Sequence, residues 1–177
     1  IMTILMMAAE PAVPAASNPP APEVAITIKE KDLIPEGIAW DPTGSTMYVS
    51  SLQKNKIVAV GPDGVAKDFT ATRQDGLWDV LGLRVDVERR ILWAMSAGDM
   101  KFKEEKGLSG VFKYDLTTGK LIRKYLPADD KRNHLFNDAA LSPRGDLYFT
   151  DSLAGSIHWI PLDKDELQPF LGAEVLR

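Results

Sequence analysis

The chain has 177 residues, of which 45% are hydrophobic, and a formal net charge of −4. This length and apolar content allow one ordinary core, and the mild charge gives no reason to expect nucleic acid or an anionic membrane surface as a partner. Cysteine is absent, which excludes disulfides, thiolate metal sites and cysteine nucleophiles.

The first 23 residues predict a leader or a linker. Residues 1–9 form an apolar run that is shorter than the roughly 20 residues needed to span a bilayer, so no transmembrane segment is expected. Residues 11–22 are rich in Ala and Pro, which is typical of an extended tether. Together they resemble the tail of a secretory signal, which predicts a secreted or periplasmic protein. A disordered extension of a cytoplasmic protein is the alternative.

From Val24 onward the pattern predicts short strands. Val24, Ile26 and Ile28 alternate with polar or small residues, which is the period of a half-buried strand. Four further strands are predicted between turns rich in Gly, Pro, Asp and Asn, at residues 38–40, 47–50, 56–60 and 65–69. Four short strands joined by tight turns form a meander.

The same order of strands and turns then occurs twice more. Asp86 follows Asp41 by 45 residues and Ser142 follows Asp86 by 56, the longer interval being explained by an insertion around residues 98–108. A four-stranded repeat of about 40–50 residues predicts an all-β fold, the β-propeller, rather than a β-sandwich. The predicted partial propeller covers residues 24–177, and its blades lie at approximately 34–72, 78–127 and 134–171.

Three blades do not close a ring, because propellers use about four to eight. We therefore expect the N-terminal half of a longer protein, whose C-terminal half is missing. The predicted strand Val24–Ile28 would complete the last blade of that ring.

Three residues share one position, just before the first strand of each repeat: Glu36, Leu81 and Asn137. In a propeller this position lies at the mouth of the central channel. A carboxylate and an amide oxygen are hard donors suited to Ca²⁺ or Mg²⁺, which predicts Glu36 and Asn137 as metal ligands. A solvated Glu and a turn-capping Asn are the alternative interpretation. Leu81 supplies no ligand and is expected in an apolar wall.

Two segments, Pro35–Asp41 and Phe136–Tyr148, resemble the SMP-30/gluconolactonase/LRE-like family of six-bladed propellers, as do residues 80–86 and 150–152. Propellers with NHL-type repeats share part of this pattern. The resemblance implies a divalent metal in the channel, most often Ca²⁺, with Mg²⁺, Mn²⁺ and Zn²⁺ as alternatives. It implies Glu36 and Asn137 as ligands, and it places the catalytic residues beyond Arg177.

The function that the resemblance implies is metal-dependent hydrolysis of a small-molecule lactone or related ester. Phosphotriester hydrolysis is a variant of this hypothesis. A non-catalytic propeller that binds a ligand or a protein is the alternative from another class, because one fold hosts many functions.

Four further residues are candidates near the substrate mouth. Asp138 is expected either to orient Asn137 or to stabilise a turn, and Asp151 to approach the channel or, more simply, to hold a turn. Trp78 is a candidate for the entrance. His134 lies in a charged loop, where exposure is expected with some reach toward the mouth.

The remaining histidine and tryptophans are expected in structural roles. His158 lies within a strand and is expected either to pack or to face solvent. Trp40, Trp93 and Trp159 recur in strands, which predicts core positions between blades.

Overall fold

The computed structural model of the chain describes residues 24, 26–98 and 105–176; the predicted leader, residues 1–23, lies outside them. The described residues form three four-stranded antiparallel sheets, each with its strands in chain order. Their strands are β1 (Ile38–Asp41), β2 (Thr46–Ser51), β3 (Lys56–Val60), β4 (Ala66–Asp68), β5 (Asp79–Asp86), β6 (Ile91–Ala97), β7 (Ser109–Asp115), β8 (Leu121–Tyr125), β9 (Phe136–Leu141), β10 (Leu147–Asp151), β11 (Ser156–Ile160) and β12 (Gln168–Leu171).

These sheets are the blades of a β-propeller, which confirms the predicted fold class. We call them blade 1 (β1–β4), blade 2 (β5–β8) and blade 3 (β9–β12). The first strand of each blade contacts the first strand of the next, β1 against β5 and β5 against β9. The first strands therefore lie innermost, where neighbouring blades converge. None of the helices in the described part of the chain is long and apolar enough to cross a membrane.

Two apolar clusters hold the blades together. Between blades 1 and 2, Tyr48 and Ile57 pack against residues that include Leu92 and Phe112. Between blades 2 and 3, a second cluster joins residues of β6 and β7 to residues of β9 and β10: Trp93, Met95, Val111, Phe136, Leu147 and Phe149. Because strand side chains alternate between the two faces of a sheet, each blade contributes one face to each neighbouring cluster.

The turns that align the repeats are built in the same way in each blade. The carboxylate of Asp41 accepts a hydrogen bond from the amide of Thr43 (3.1 Å), and that of Asp86 accepts one from the amide of Arg89 (3.0 Å). In blade 3 the hydroxyl of Ser142 replaces the carboxylate and accepts from the amide of Asp146 (3.1 Å). These side chains satisfy amides that a tight turn leaves unpaired.

One prediction about apolar residues is wrong for the described residues. Residues 26–30 pair with no described strand, and Ile28 packs with Leu33 on Val58 and Val60, at the outer side of blade 1. The pairing of Val24–Ile28 with a later blade stays a prediction. Trp40 is 54% exposed rather than part of a core between blades, because it lies on the face of blade 1 that points away from blade 2. Trp93 is buried as predicted.

Candidate functional site

The positions of Glu36 and Asn137 are structurally equivalent. The residue after Glu36 is Gly37, whose amide donates to the Ser50 hydroxyl (2.7 Å), while that hydroxyl donates to the Gly37 carbonyl (3.3 Å). The residue after Asn137 is Asp138, and Thr150 Oγ1 makes the same pair of bonds to its amide (3.3 Å) and carbonyl (3.4 Å). The two blades therefore begin with the same backbone arrangement around a strand hydroxyl.

Glycine allows the inner strands to approach one another at this level. A Cβ on Gly37 would lie 2.3 Å from the Leu81 carbonyl oxygen, and a Cβ on Gly82 would lie 2.6 Å from the Asn137 carbonyl oxygen. Side chains other than hydrogen cannot fit there without moving backbone. Leu81 thus contacts blade 1 through its backbone. It lies inside β5 rather than before the strand, at a point where the pairing of β5 with β6 is irregular. Asn137 similarly lies inside β9.

Glu36 and Asp138 form an acidic pair at the channel mouth. Partial burial of the Glu36 carboxylate, together with the negative charge of Asp138, raises the pKa of Glu36, although the residue as a whole stays exposed. A cation bound beside the Glu36 carboxylate would offset the repulsion that this carboxylate meets there.

The surrounding contacts limit that site. Arg84 Nη2 binds Asp138 Oδ2 at 3.0 Å, so a protein cation already serves one of the two carboxylates. Asn137 Nδ2 donates to Ser152 Oγ (3.2 Å), which directs its Oδ1 elsewhere. Within residues 26–98 and 105–176, no three His, Asp or Glu side chains converge closely enough to hold a metal by themselves. The donors fit a hard cation in kind, but they fall short of the six to eight oxygens that Ca²⁺ takes.

The start of blade 3 contains a buried ionic cluster. Asp151, at the end of β10, is 1% exposed, and its Oδ1 accepts from the amides of Leu135 (3.0 Å) and Ala154 (3.1 Å). Its Oδ2 lies 2.6 Å from His134 Nδ1 and 3.6 Å from His158 Nε2. Burial alone would raise the pKa of Asp151, but the nearby His158 ring, the Leu135 amide and the His134 ring outweigh it and lower the pKa well below the usual range.

The prediction that His134 is exposed is therefore wrong: its ring is buried, because both nitrogens face carboxylates. Nδ1 faces Asp151, and Nε2 lies 3.1 Å from Asp130 Oδ1. Since a ring nitrogen must carry hydrogen to donate, both contacts are hydrogen bonds only in the imidazolium form. His158 is also buried, which answers the question that the sequence left open in favour of packing. Asp151 acts on the turn, as the simpler of its two predicted roles requires.

Trp78 and His134 line one cavity of about 300 Å³ on the face that carries Glu36 and Asn137, which we call the upper face. The wall is apolar where Leu108, Leu126 and Pro127 contribute, and Trp78 packs edge-to-face on Phe112 (centroids 6.2 Å apart). The rim carries charges of both signs, from Asp129, Asp130, Lys131 and Arg132. Its volume is at the lower end for a small-molecule pocket.

Sequence reasoning did not identify Arg84 or the pairing of Asp151 with both histidines. Arg84 follows Leu83 on an ordinary strand, and nothing local indicates that its guanidinium crosses to the next blade. Asp151 and His134 are 17 residues apart. The sequence signal that could have indicated this buried contact is the equivalence of Asp151 with Ser51 and Ser96. These two serines hydrogen-bond the chain just before blades 1 and 2, at the Leu33 carbonyl and the Trp78 amide.

Comparison with solved structures confirms the propeller. A gluconolactonase from Xanthomonas campestris superposes with a TM-score of 0.56 at 18% identity, over 78% of this chain and 47% of that one. A virginiamycin B lyase from Staphylococcus aureus in complex with quinupristin gives 0.61 at 16% identity, over 82% and 44%. Hydrazine synthase from Kuenenia stuttgartiensis gives 0.60 at 17%, over 82% and 37%.

Each of these proteins is similar to the chain in fold, and their different activities show that the fold by itself does not select a reaction. The chain spans less than half the length of each of them. No protein-family model matches the chain, and no curated protein matches it by sequence.

Proposed function

We propose that the chain is part of a divalent-metal-dependent hydrolase of lactones or related esters. The observation that carries this proposal is the equivalence of Glu36 and Asn137, two hard oxygen donors at the same position of two blades, beside the raised pKa of Glu36. The gluconolactonase among the similar structures supports lactones as the substrate class, whereas the virginiamycin B lyase of the same fold does not.

In this proposal Glu36 and the Oδ1 of Asn137 hold the cation, and Asp138 adds negative charge beside it. Bound Ca²⁺ or a similar ion would polarise the carbonyl oxygen of a lactone. The Ser50 and Thr150 hydroxyls hold the backbone of Gly37 and Asp138, the residues that follow the two proposed ligands. We assign no catalytic base to the described residues, and further ligands are expected beyond Arg177.

The test is calorimetric titration of the purified chain with Ca²⁺ and with Mn²⁺, at pH 7.5. Glu36→Gln should weaken binding at least about 10-fold, because it removes the charged donor. Glu88→Gln is the matched control: Glu88 is 82% exposed in the turn between β5 and β6, on the opposite face, and its removal should leave affinity unchanged. Equal affinity of wild type and Glu36→Gln would exclude Glu36 as a ligand.

A non-catalytic binding propeller is the second candidate, and the Arg84–Asp138 pair favours it. If Arg84 is the lasting partner of Asp138, the channel mouth needs no metal. Hydrolysis of δ-valerolactone and gluconolactone, followed by pH change with and without EDTA, separates the two candidates. Metal-dependent turnover that Glu36→Gln lowers supports the hydrolase. Metal binding without turnover by the chain supports a binding module or a site that needs further residues.

A further inference from the structure

The connection between β8 and β9 forms one side of the cavity on the upper face. Its residues 127–132, which we call the rim segment, line that cavity of about 300 Å³ together with Trp78, Leu108 and His134. The backbone of the rim segment forms neither helix nor strand. Its position over the cavity therefore depends on its contacts with the rest of the chain.

Within the described part of the chain, one hydrogen bond joins the rim segment to residues outside it. Nε and Nη2 of Arg132 lie 2.7 and 2.6 Å from Asp130 Oδ2, and the Arg132 amide donates to Asp130 Oδ1 (2.9 Å). These contacts stay inside the segment. The contact that leaves it runs from Asp130 Oδ1 to His134 Nε2, over 3.1 Å. The position of the segment thus depends on the pair of Asp130 and His134.

His134 is held firmly on the side of blade 3. Its Nδ1 lies 2.6 Å from Asp151 Oδ2. Asp151 is buried and is itself fixed, because its Oδ1 accepts from the amides of Leu135 and Ala154. Asp130, in contrast, is exposed to solvent. Of the two carboxylates that face the ring, Asp130 is therefore the one that can move away.

The charge of the His134 ring decides whether both contacts are favourable. An imidazolium donates from both nitrogens and makes one charge-assisted hydrogen bond to each carboxylate. A neutral ring carries one N–H, and the shorter contact with the buried Asp151 retains it. The lone pair of Nε2 then faces Asp130 Oδ1, so two acceptors oppose each other across 3.1 Å. Asp130 gains by turning to water.

We propose that protonated His134 holds the rim segment closed over the cavity, and that loss of this proton releases the segment and widens the cavity. The change is a pH-controlled rearrangement of the upper face. It requires neither a metal nor a substrate, so it stands apart from the proposed hydrolase.

Four charged or titratable groups contact the ring or its two carboxylates within the described residues. Asp130 and Arg132 belong to the rim side, and Asp151 ends β10. His158 on β11 is the fourth: its Nε2 lies 3.6 Å from Asp151 Oδ2 and 3.1 Å from Ser156 Oγ. His158 makes no contact with Asp130, so its own titration does not act directly on the rim segment.

The carboxylates set the lower limit of the pH range in which the segment is closed. The hydrogen bond from Arg132 is the main cause that lowers the pKa of Asp130, and the pKa of Asp151 is lowered despite its burial. Both therefore stay charged down to below the usual aspartate value near 4. The closed state extends from there up to the pH at which His134 loses its proton, and it is lost as pH rises further.

A spin label tests the release of the segment. The chain has no cysteine, so a nitroxide on Lys131→Cys reports on the rim segment alone. Between about pH 4.5 and 9, the ratio of mobile to immobile label should rise at least about 10-fold, the scale of one hydrogen bond to a charged group. A label on Ile122→Cys, an exposed residue of β8, is the control and should not change. An unchanged ratio at residue 131, or an equal rise at both sites, overturns the proposal.

Two neighbouring carboxylates give a matched pair of variants. Asp130→Ala removes the contact with His134 and should leave the label at residue 131 mobile throughout the pH range. Asp129→Ala removes a charge from the same exposed rim but no contact with the ring, and it should keep the pH response. A response that survives in Asp130→Ala overturns the proposal, because another contact would then hold the segment.

NMR of the imidazole rings identifies the group that titrates, since the chain has two histidines. In Asp130→Ala, the titration midpoint of His134 should fall by at least about 0.5 pH unit, because a nearby anion favours the imidazolium. The midpoint of His158 should shift less. In the wild type, the label should become mobile at the midpoint of the histidine that shifts more. A label midpoint that follows the other histidine, or neither, overturns the proposal.

Discussion

The starts of blade 1 and blade 3 have the same backbone arrangement but are held by opposite means. At the start of blade 1 neutral hydroxyls make the contacts: Ser50 binds Gly37 and Ser51 binds the Leu33 carbonyl. At blade 3 the residue equivalent to Ser51 is Asp151, a buried carboxylate between two histidines. Equivalent positions in a repeat fix the backbone hydrogen bond, not the charge of the side chain that makes it. Breaking the ionic contact of Asp151 is expected to cost more free energy of unfolding than breaking the neutral contact of Ser51.

The contrast also reaches the channel mouth. Blade 1 presents Gly37 to blade 2, and blade 2 presents Gly82 to blade 3, because the next inner strand lies too close for a side chain. Blade 3 has Asp138 at this position, and its carboxylate reaches back to Arg84 of blade 2.

The largest expected effect is the loss of the buried charge at blade 3. Asp151→Asn should lower the free energy of unfolding by about 3–5 kcal/mol, because it leaves His134 and His158 facing an uncharged amide in a buried site. The comparison is Ser51→Ala, which removes two neutral hydrogen bonds, to the Leu33 carbonyl and from the Lys54 amide, and should cost only about 2 kcal/mol. Urea unfolding followed by tryptophan fluorescence measures both. Equal losses would show that the charge of Asp151 adds nothing.

The next largest difference between the two blade starts is expected in the acid dependence of the free energy of unfolding. The pKa of Asp151 is lowered in the folded state, so its stabilisation is present above the ordinary aspartate pKa near 4 and is lost as pH falls below it. We expect the free energy of unfolding to drop by on the order of 2–3 kcal/mol between pH 5 and pH 2 from this group. Thermal unfolding across this range should show a smaller acid loss in Asp151→Asn, and an identical acid loss in both proteins contradicts the assignment.

The close contact between the inner strands of blades 1 and 2 can be tested directly. Gly37→Ala should cost about 1–3 kcal/mol, because its Cβ would lie 2.3 Å from the Leu81 carbonyl oxygen and backbone must move. At the equivalent position of blade 3, Asp138→Ala keeps the Cβ. It loses an exposed ion pair with Arg84, worth about 0–1 kcal/mol, and a local hydrogen bond from the Ala139 amide (2.9 Å), worth about 0.5–1 kcal/mol. Chemical denaturation of the two variants tests the difference. A Gly37→Ala variant as stable as Asp138→Ala would mean that the junction is looser than described.

The smallest effect is expected at Glu36. Its raised pKa means that the charged form is less favourable in the folded chain, so its unfavourable effect on stability grows as pH rises through the carboxylate range. Glu36→Gln should therefore leave the melting temperature at pH 7.5 unchanged or slightly higher, a change within about 0.5 kcal/mol. A clear loss of stability would show that Glu36 serves the fold and not a ligand.

The amino-acid sequence by itself determined the repeat. Strand alternation, Gly/Pro/Asp turns and the spacing of Asp41, Asp86 and Ser142 are local signals, so they predicted the strands of each blade and the shared position of Glu36 and Asn137. The lone segment Val24–Ile28 shows the limit of local pattern, because a strand also needs a partner, and no described neighbour supplies one.

Only the tertiary structure decided which side chains are buried and which charges meet. His134 lies in a polar loop by sequence and is buried because Asp151 and Asp130 close on its ring from different segments. Trp40 has a core residue's character and is exposed because none of the blades formed by the described residues faces it. Both outcomes depend on which blade packs on which face, and that arrangement brings together residues far apart in the chain.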